Sequence, residues 1–171
     1  MTVKLDEKDM AILALIQENS KLTAKQIAKK IDSPITTVFA KTKRMEELGV
    51  IREYRAILAP EKLDSGTAAF ILASVSYRAK GKDTPISQRV VAEEIAKFPE
   101  VQEVYIITGD WDLLVKLRAR SVDAVGKFVV DKLRLIDGLE KTLTCMVFET
   151  LKETTTINLP PKKQIDTTEK A

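Results

Sequence analysis

The chain has 171 residues, of which 44% are hydrophobic and 31% are charged, so it has room for one ordinary folded domain or two small ones. It has no histidine and one cysteine, Cys145, which excludes Ser–His–Asp and Cys–His catalysis, histidine-ligated metals, multi-cysteine zinc sites and an internal disulfide. There is no apolar signal core, and the longest charge-free apolar stretch, residues 65–77, is shorter than a membrane helix, so we expect a soluble cytoplasmic protein with no membrane partner.

The formal net charge of +3 belongs to the first third of the chain. Residues 1–60 carry 11 Lys and Arg against 8 Asp and Glu, whereas residues 61–171 carry 17 of each. Within residues 20–45, seven basic side chains stand against Asp32 alone. Such a patch on a compact helical unit is typical of a nucleic-acid binder, and the alternative is a solvated helix face.

Residues 1–58 are predicted to form three short helices. Asp6 is a suitable N-cap for the first, and Thr23 with Gln26 has the capping-box spacing for the second. Ser33 is expected to cap the third, with Pro34 at its first position and Gly49 just past its end. Helical spacing predicts buried side chains at Leu5, Ile12, Leu13, Ile16, Ile27, Ala28, Ile31, Ile35, Val38, Thr42 and Met45.

Two short helices and a tight turn before a third indicate a helix-turn-helix, whose last helix faces base edges in the DNA major groove. Residues 50–51 and 54–57 predict the two strands of a small wing. Phe39 either contacts DNA or packs against the wing, and the burial habit of aromatic side chains favours packing. Base contacts are expected from the side chains off the buried stripe: Thr36, Thr37, Ala40, Lys41, Lys43 and Arg44. Phosphate contacts are expected from the flanking basic side chains: Lys21, Lys25, Arg52 and Arg55.

Residues 59–66 break the apolar pattern and are expected to be a hinge before a second domain, residues 67–157, with a flexible tail over 158–171. The second domain is predicted to contain, in order, a strand (68–77), a helix (85–98), two strands (101–107 and 112–119), a helix (121–136) and a strand (139–151). The order βαββαβ is that of a ferredoxin-like fold, so the fold class is α+β. The helices are expected to bury Ile86, Val90, Val91, Ile95, Val122, Val125, Phe128, Val129 and Leu133.

A ferredoxin-like sheet has helices on one face only. The other face is expected to carry apolar residues such as Ile107, Leu114 and Phe148, and a second copy of the chain is the simplest cover for it. A symmetric homodimer would present two recognition helices to half-sites about one DNA turn, ~34 Å, apart.

The connection of residues 108–112, Thr-Gly-Asp-Trp-Asp, has two carboxylates beside backbone N–H groups. That combination suits a small zwitterion such as an amino acid. A plain hairpin turn is the alternative that the residue types alone favour, since Gly and Asp are common turn formers.

The chain resembles the Lrp/AsnC regulators, also called feast/famine regulatory proteins, over residues 5–157. The order and spacing of several short pieces carry this resemblance: Leu5-Asp6, Asp9, Ile12-Leu13, Ile27-Ala28, Val38, Lys41, Arg44-Met45-Glu46-Glu47, Gly49-Val50-Ile51, Thr108 to Leu114, Gly138 to Thr142, and Thr144. The chain departs from the family at several positions. Asp32-Ser33-Pro34 stands where the family often has glycine, an apolar residue and serine. Thr42 stands where Ile or Val is usual, Met45 where Leu is usual and Trp111 where the aromatic is often Tyr, and the chain beyond Leu159 resembles an extension.

The resemblance implies a winged helix-turn-helix that binds promoter DNA and a C-terminal dimerisation domain of the RAM type. It also implies further assembly, commonly to octamers, and an amino acid or related molecule bound between subunits. The implied effector residues come from the loop of one subunit and from the second helix end and last strand of its neighbour: Thr108, Gly109, Asp110, Asp112, Ile136, Gly138, Thr142 and Thr144.

The sequence therefore predicts a sequence-specific, DNA-binding transcriptional regulator modulated by an amino acid or related effector at a subunit interface. It predicts no enzymatic activity, metal site or cofactor. The alternatives are an architectural protein that wraps DNA, or a small-molecule-binding module or enzyme without a DNA role. An enzyme is disfavoured because no acid–base pair stands in a recognisable catalytic arrangement.

Overall fold

The computed structural model describes residues 3–76 and 86–159, and the chain divides into two compact units. The second unit runs from Leu58 to Lys152, and the first unit contains the residues before it and those after it. In the structure residues 153–157 lie with the first unit, although the predicted second domain extends to residue 157. No helix in the described ranges is long and apolar enough to cross a membrane.

The first unit contains three helices: α1 (Glu7–Glu18), α2 (Ala24–Lys30) and α3 (Ile35–Glu47). Both predicted caps are confirmed. The Asp6 side chain accepts from the Asp9 amide at 2.9 Å, and the Thr23 hydroxyl accepts from the Gln26 amide at 3.2 Å. In each case the third residue's side chain bonds back to the cap amide, so two unpaired donors of each helix start are satisfied.

The turn between α2 and α3 differs by one residue from the prediction. Pro34 is the N-cap of α3, and Ser33 makes no capping bond to it. The Ser33 amide instead donates to the Ala28 carbonyl at 3.0 Å, while Asp32 adopts a left-handed φ of 47°. Ser33 therefore closes α2 instead of opening α3, and the left-handed position is the one where the family often has glycine.

The end of α3 is confirmed at Gly49, which has φ 67°. The Gly49 amide donates to Glu46, and the amides of Val50 and Ile51 both donate to the Met45 carbonyl. These bonds satisfy the last carbonyls of α3. The two predicted wing strands are wrong for this structure, because the amides that would begin the first strand are used to cap the helix. Residues 50–58 contain no strand.

The core of the first unit contains the buried side chains of Ile12, Leu13, Ile27, Ala28, Val38 and Met45, as the helical spacing predicts. Leu5, Ile16 and Ile31 pack against it at partial burial. Two expectations fail, since Ile35 is 49% exposed and Phe39 is 65% exposed.

The C-terminal segment, residues 153–159, contributes to the same core. Gln17 donates to the Ile157 carbonyl at 3.2 Å and accepts from the Ile157 amide at 2.8 Å, and Leu159 packs against the buried cluster. The expectation of a tail from residue 158 is corrected at Leu159, and residues 160–171 lie outside the described ranges.

The second unit has the predicted order βαββαβ, with the strands arranged β2-β3-β1-β4 and every neighbouring pair antiparallel. Its elements are β1 (Thr67–Val75), α4 (Gln88–Ala96), β2 (Val101–Ile106), β3 (Leu113–Ala119), α5 (Val122–Asp131) and β4 (Leu139–Met146). Three elements are clearly shorter than predicted. α4 covers Gln88–Ala96 instead of residues 85–98. α5 gives way to a 3₁₀ turn at Leu133–Leu135, and β4 stops at Met146 instead of residue 151.

One face of the sheet packs against α4 and α5. The buried side chains of this core are Ala69, Ile71, Ala73, Val75, Val91, Ile95, Leu113, Val115, Leu117, Ala119, Val125, Phe128, Val129 and Leu133. The expected burial of Val90 and Val122 is wrong: they are 54% and 64% exposed because each lies in the first turn of its helix, off the inward stripe.

The opposite sheet face, called the open face, is covered by neither α4 nor α5, the two α-helices of the described part of this unit. Leu72 lies opposite Leu143 and Leu114 in the strand register, and Phe70 lies opposite Cys145. Directly opposed residues share a face, so these side chains form an apolar patch. Leu114 is on the face as predicted, whereas Phe148 lies beyond β4 and is fully exposed.

Candidate nucleic-acid interface

A buried charge fixes the recognition helix to α1. Asp9 is 1% exposed, and its carboxylate accepts from the Lys41 ammonium at 3.1 Å and from the Arg44 guanidinium at 3.4 Å. Lys41 also contacts the Asp6 carboxylate at 2.5 Å, and Arg44 donates to the Lys4 carbonyl at 3.3 Å. Together Asp6, Asp9, Lys41 and Arg44 form what we call the α1–α3 anchor.

Within the anchor, Asp6 and Lys41 each stabilise the charged form of the other. The hydrogen bond from Lys41, aided by the Asp9 amide, lowers the pKa of Asp6 from an ordinary 3.8 to about 2. The same contact with Asp6 raises the pKa of Lys41, against the effect of its burial. Both groups are therefore charged at neutral pH, and the pair opposes rotation of α3 about its axis.

The anchor bears on two residues from which base contacts are expected. The Lys41 side chain is only 20% exposed and is directed at two carboxylates, while that of Arg44 is 48% exposed. The sequence reasoning counted both as surface charge and missed Asp9 as their partner. One sequence signal could have indicated this partner. Asp9 is an acidic residue at the third position of α1, and the N-cap residue Asp6 is already acidic, so a second carboxylate there suggests a cation nearby.

The other face of α3 is exposed, and we call it the recognition face: Ile35, Thr36, Phe39, Ala40 and Lys43. These positions are i, i+1, i+4, i+5 and i+8, which form one stripe along a helix. Thr37 is half-buried and lies off this stripe. The structure thus brings together Thr36, Ala40 and Lys43 from the predicted base-contact set.

Basic side chains flank the recognition face. Lys25 and Lys29 line a shallow, open cleft of about 480 Å³ at the junction of α2 and α3, together with Ile35. Neither lysine forms an ion pair with a carboxylate in the described part of the chain, and Lys21 is also exposed. Asp32 lines the same cleft, so a polyanion approaching α3 would meet a net positive charge beside exposed side chains.

Two predicted phosphate contacts lie after α3. Arg52 is exposed, and Arg55 is exposed with an ion pair to Glu53 at 2.8 Å. The Tyr54 hydroxyl donates to Glu46 at 2.7 Å, which ties this segment to the last turn of α3. Burial, followed by this hydrogen bond, raises the pKa of Tyr54 to about 12.

The connection between β2 and β3, residues 107–112, carries the predicted effector loop in the second unit. Each oxygen of the Asp112 carboxylate accepts one hydrogen bond, from the Val75 amide at 2.7 Å and from the Gln88 side chain at 2.5 Å. Thr108, Gly109 and Asp110 are exposed, and Gly109 has φ 115°. Asp112 thus anchors the loop to β1 and α4, and Asp110 is the carboxylate that faces solvent.

The remaining effector candidates lie on the same unit. The Gly138 carbonyl accepts from the Ser76 amide at 2.8 Å, so Gly138 lies at the sheet end that also carries the loop. A Cβ at Gly138 would approach the Ile86 side chain to 2.8 Å, so only glycine fits this contact without a shift. The other candidates are half-buried, one after the 3₁₀ turn and two on the edge strand β4: Ile136, Thr142 and Thr144.

Two family models match the two halves of the chain. A model described as the Lrp/AsnC ligand binding domain matches residues 70–157, and one described as winged helix-turn-helix DNA-binding matches residues 5–52. The first match covers the sheet from Phe70 onward, its helices and the loop of residues 107–112. The second covers α1 to α3.

Several known proteins are similar over nearly their whole length. An uncharacterised HTH-type transcriptional regulator of Pyrococcus abyssi is 42% identical over 87% of this chain and 96% of its own. The HTH-type transcriptional regulator FL11 of Pyrococcus horikoshii is 37% identical over 91% of this chain and 97% of its own. The crystal structure of a transcriptional regulator from Neisseria meningitidis in complex with L-methionine superposes with a TM-score of 0.81 at 30% identity, covering 91% of this chain and 97% of that one.

Proposed function

The chain belongs to the Lrp/AsnC family of DNA-binding transcriptional regulators and is not an enzyme, and from this premise we propose that it reads specific promoter sequences with the recognition face of α3. One observation carries the proposal. The α1–α3 anchor holds α3 by two of its own cations, while Thr36, Ala40 and Lys43 are left exposed on the opposite side.

The basic side chains around α3 supply the sequence-independent part of binding. Lys21, Lys25 and Lys29 are proposed to contact phosphates, with Arg52 and Arg55 on the following segment. Lys41 and Arg44 contribute chiefly by positioning α3, because their charges are directed at Asp9. Promoter DNA as the partner corresponds to a cytoplasmic place of action.

Salt dependence of duplex binding tests this assignment. We expect the affinity of the full chain for its selected duplex to fall steeply between 50 and 200 mM salt, with Lys25→Gln reducing the log–log slope by about 0.9. The matched control is Lys127→Gln, an exposed lysine on α5, which should leave the slope unchanged. An unaltered slope for Lys25→Gln would remove Lys25 from the interface.

Comparison of a selected with a random duplex at one salt concentration separates specific from architectural binding. Specific regulators bind their sites at least about 10³-fold more tightly than random DNA. Equal affinities for the two duplexes would favour the architectural alternative, and absence of any binding at 50 mM salt would overturn the proposal.

We further propose that an amino acid or related small molecule binds at the loop of residues 107–112, with a neighbouring subunit completing the site. The structural relative from Neisseria meningitidis is a complex with L-methionine, which supports this class of ligand. In the present chain Asp112 is committed to the fold, so Asp110 is the loop carboxylate available to a ligand ammonium group. Ile136, Gly138, Thr142 and Thr144 of the neighbour are proposed to close the site.

A thermal-shift screen of the twenty amino acids tests the effector. A ligand that binds only the folded chain raises the melting temperature with concentration. Asp110→Asn should weaken that shift about tenfold in concentration, whereas Glu149→Gln, another exposed carboxylate outside the loop, should not. If no amino acid raises the melting temperature, the effector proposal fails and the DNA proposal stands.

A homodimer closed over the open face, with further association such as an octamer, completes the proposal. Leu72, Leu114 and Leu143 form an apolar patch that no element of the described chain covers within its unit. Light scattering after size exclusion should show a dimer or larger species, and Leu114→Glu should reduce the mass toward a monomer. Val122→Glu, which changes an exposed apolar residue on α5, should leave the mass unchanged.

A further inference from the structure

Two large apolar side chains lie on the recognition face, where a soluble helix would ordinarily be polar. Phe39 is 65% exposed and Ile35 is 49% exposed. Neither belongs to the buried cluster of the helical unit or to the partly buried residues packed against it. Their exposure is therefore not explained by the fold of the described chain.

The position of the two residues on α3 is well defined. Successive residues of a helix turn by about 100°, so Phe39 is turned away from the buried Val38, and Ile35 lies one turn earlier on the same side as Phe39. Both belong to the first half of α3, the part of a recognition helix that reaches base edges. Thr36 and Lys43 accompany them on the same stripe.

The chemistry of the major groove limits what such side chains can recognise. A phenyl ring and a butyl group neither donate nor accept a strong hydrogen bond, so they cannot read the donor and acceptor pattern of the bases. The apolar group that a base pair presents in that groove is the C5 methyl of thymine. Lys25 and Lys29 line the cleft that also contains Ile35, against the single carboxylate of Asp32. Lys43 lies on the same stripe, and its ion pair with Glu47 is exposed and 3.8 Å long. This excess of positive charge beside the pair favours a duplex over an apolar protein partner.

We propose that Phe39, aided by Ile35, contacts thymine methyl groups in the major groove and so selects T·A pairs at fixed positions of the binding site. This inference deepens the proposed function and rests on it. Phe39 is thereby a specificity-determining residue, and its side chain is exposed in the free chain because it becomes buried only against DNA.

Removal of single methyl groups from the DNA tests the contact directly. The full chain is first used to select a binding site from a random duplex library, and each thymine of that site is then replaced in turn by deoxyuridine, which keeps the base pair and loses only the methyl. We expect about a fourfold loss of affinity at one or two positions per half-site, the effect of one methyl-sized apolar group leaving a buried contact.

The same duplexes bound by variants identify the side chain. Phe39→Ala should bind the thymine duplex more weakly and no longer distinguish it from the deoxyuridine duplex at the Phe39 position, whereas Phe39→Leu should retain part of the distinction. Lys43→Gln is the matched control on the same stripe. It should weaken binding to both duplexes equally and keep the fourfold ratio.

The outcomes separate the inference from its premise. If a sequence is selected but every deoxyuridine duplex binds like its thymine parent, or if Phe39→Ala keeps the ratio, the inference is overturned and the regulator stands. If no sequence is selected, the proposed function fails and the inference fails with it. Since Phe39 is exposed, thermal unfolding of Phe39→Ala should match the parent chain and confirm that the variant is folded.

Discussion

The interiors of the helical unit and the sheet unit differ in size and in their content of buried charge. The sheet unit has fourteen buried residues in its core cluster and the helical unit has six. The helical unit compensates with a buried charge, since Asp9 is the buried polar residue of the described chain. Apolar packing determines the shape of the sheet unit, whereas the direction of α3 also depends on ion pairs.

The difference follows from the sizes of the elements. Helices of 12, 7 and 13 residues bury a small apolar core against one another, so a specific ion pair adds orientation to their packing. Apolar contacts are non-directional, whereas the anchor requires Lys41 and Arg44 to face Asp9. Ion pairs thus give α3 a direction that apolar packing, which determines the sheet unit, does not supply.

The largest effect is expected from a cavity in the sheet unit. Leu117→Ala removes a fully buried side chain and should lower the free energy of unfolding of that unit by about 3 kcal/mol. Hydrogen exchange of the full chain should show β1 and β3 affected and α1 to α3 unchanged. Val130→Ala, at an exposed position of α5, is the control and should cost under about 0.5 kcal/mol. Equal losses in both units would contradict their separate cores.

The anchor is tested by removal of one cation. Lys41→Met keeps most of the side-chain volume but leaves Arg44 as the one cation paired with the buried Asp9 carboxylate, so the helical unit should lose about 2 kcal/mol. The loss is below that of a fully buried pair because Lys41 is partly exposed. Lys43→Met on the same helix should cost under about 0.5 kcal/mol, since its pair with Glu47 is exposed and 3.8 Å long. Similar losses for the two variants would mean that the anchor adds nothing.

Each unit contains an aspartate with a left-handed backbone conformation, so the same substitution can be compared in both. Asp32 in the helical unit has φ 47° and Asp64 in the sheet unit has φ 50°. Replacement of either by glycine should stabilise its own unit by up to about 1 kcal/mol, because glycine adopts this conformation without strain. Asp123→Gly, inside α5, is the control and should destabilise. A loss of stability in Asp32→Gly would show that its carboxylate, and not its backbone, matters.

The smallest effect on stability is expected from protonation of Asp6 at low pH. The pKa of Asp6 is about 2 in the folded chain against an ordinary 3.8, so its stabilising contribution is complete above about pH 4 and disappears as the pH falls through 2. Because the Asp6 side chain is 59% exposed, we expect under about 1 kcal/mol. Unfolding of Asp6→Asn between pH 5 and 2 should be less pH-dependent than that of the parent. In the sheet unit, the hydrogen bond from Lys132 also lowers the pKa of Glu100. The pH dependence of unfolding that comes from Glu100 should remain in Asp6→Asn.

Most of the architecture could be predicted because its signals are local. The caps at Asp6 and Thr23 and the end at Gly49 depend on residues within a few positions of each other. The order of strands and helices followed from alternating and helical spacing in the same way. The start of α3 was misplaced by one residue because Ser33 suits two neighbouring helix ends, and only the backbone conformation of Asp32 decides between them.

The misses depend on contacts distant in sequence or on exposure. Phe39 was expected to pack because aromatic side chains usually do, and no local pattern marks an aromatic that is left exposed. Asp9 pairs with residues more than 30 positions away, so its burial has no local signature. In the candidate ligand loop, the residue types at 110 and 112 are the same, and only the hydrogen bonds to Val75 and Gln88 distinguish the structural carboxylate from the exposed one.

The contact between Gln17 and Ile157 can form only late in the synthesis of the chain. The two residues are 140 positions apart, so at ~5–20 residues per second a ribosome delivers the second about 7–30 s after the first. Every residue of the sheet unit is made within that interval. A nascent chain therefore contains its whole sheet unit before it can finish the helical unit, and the order of translation determines which of the two is completed last.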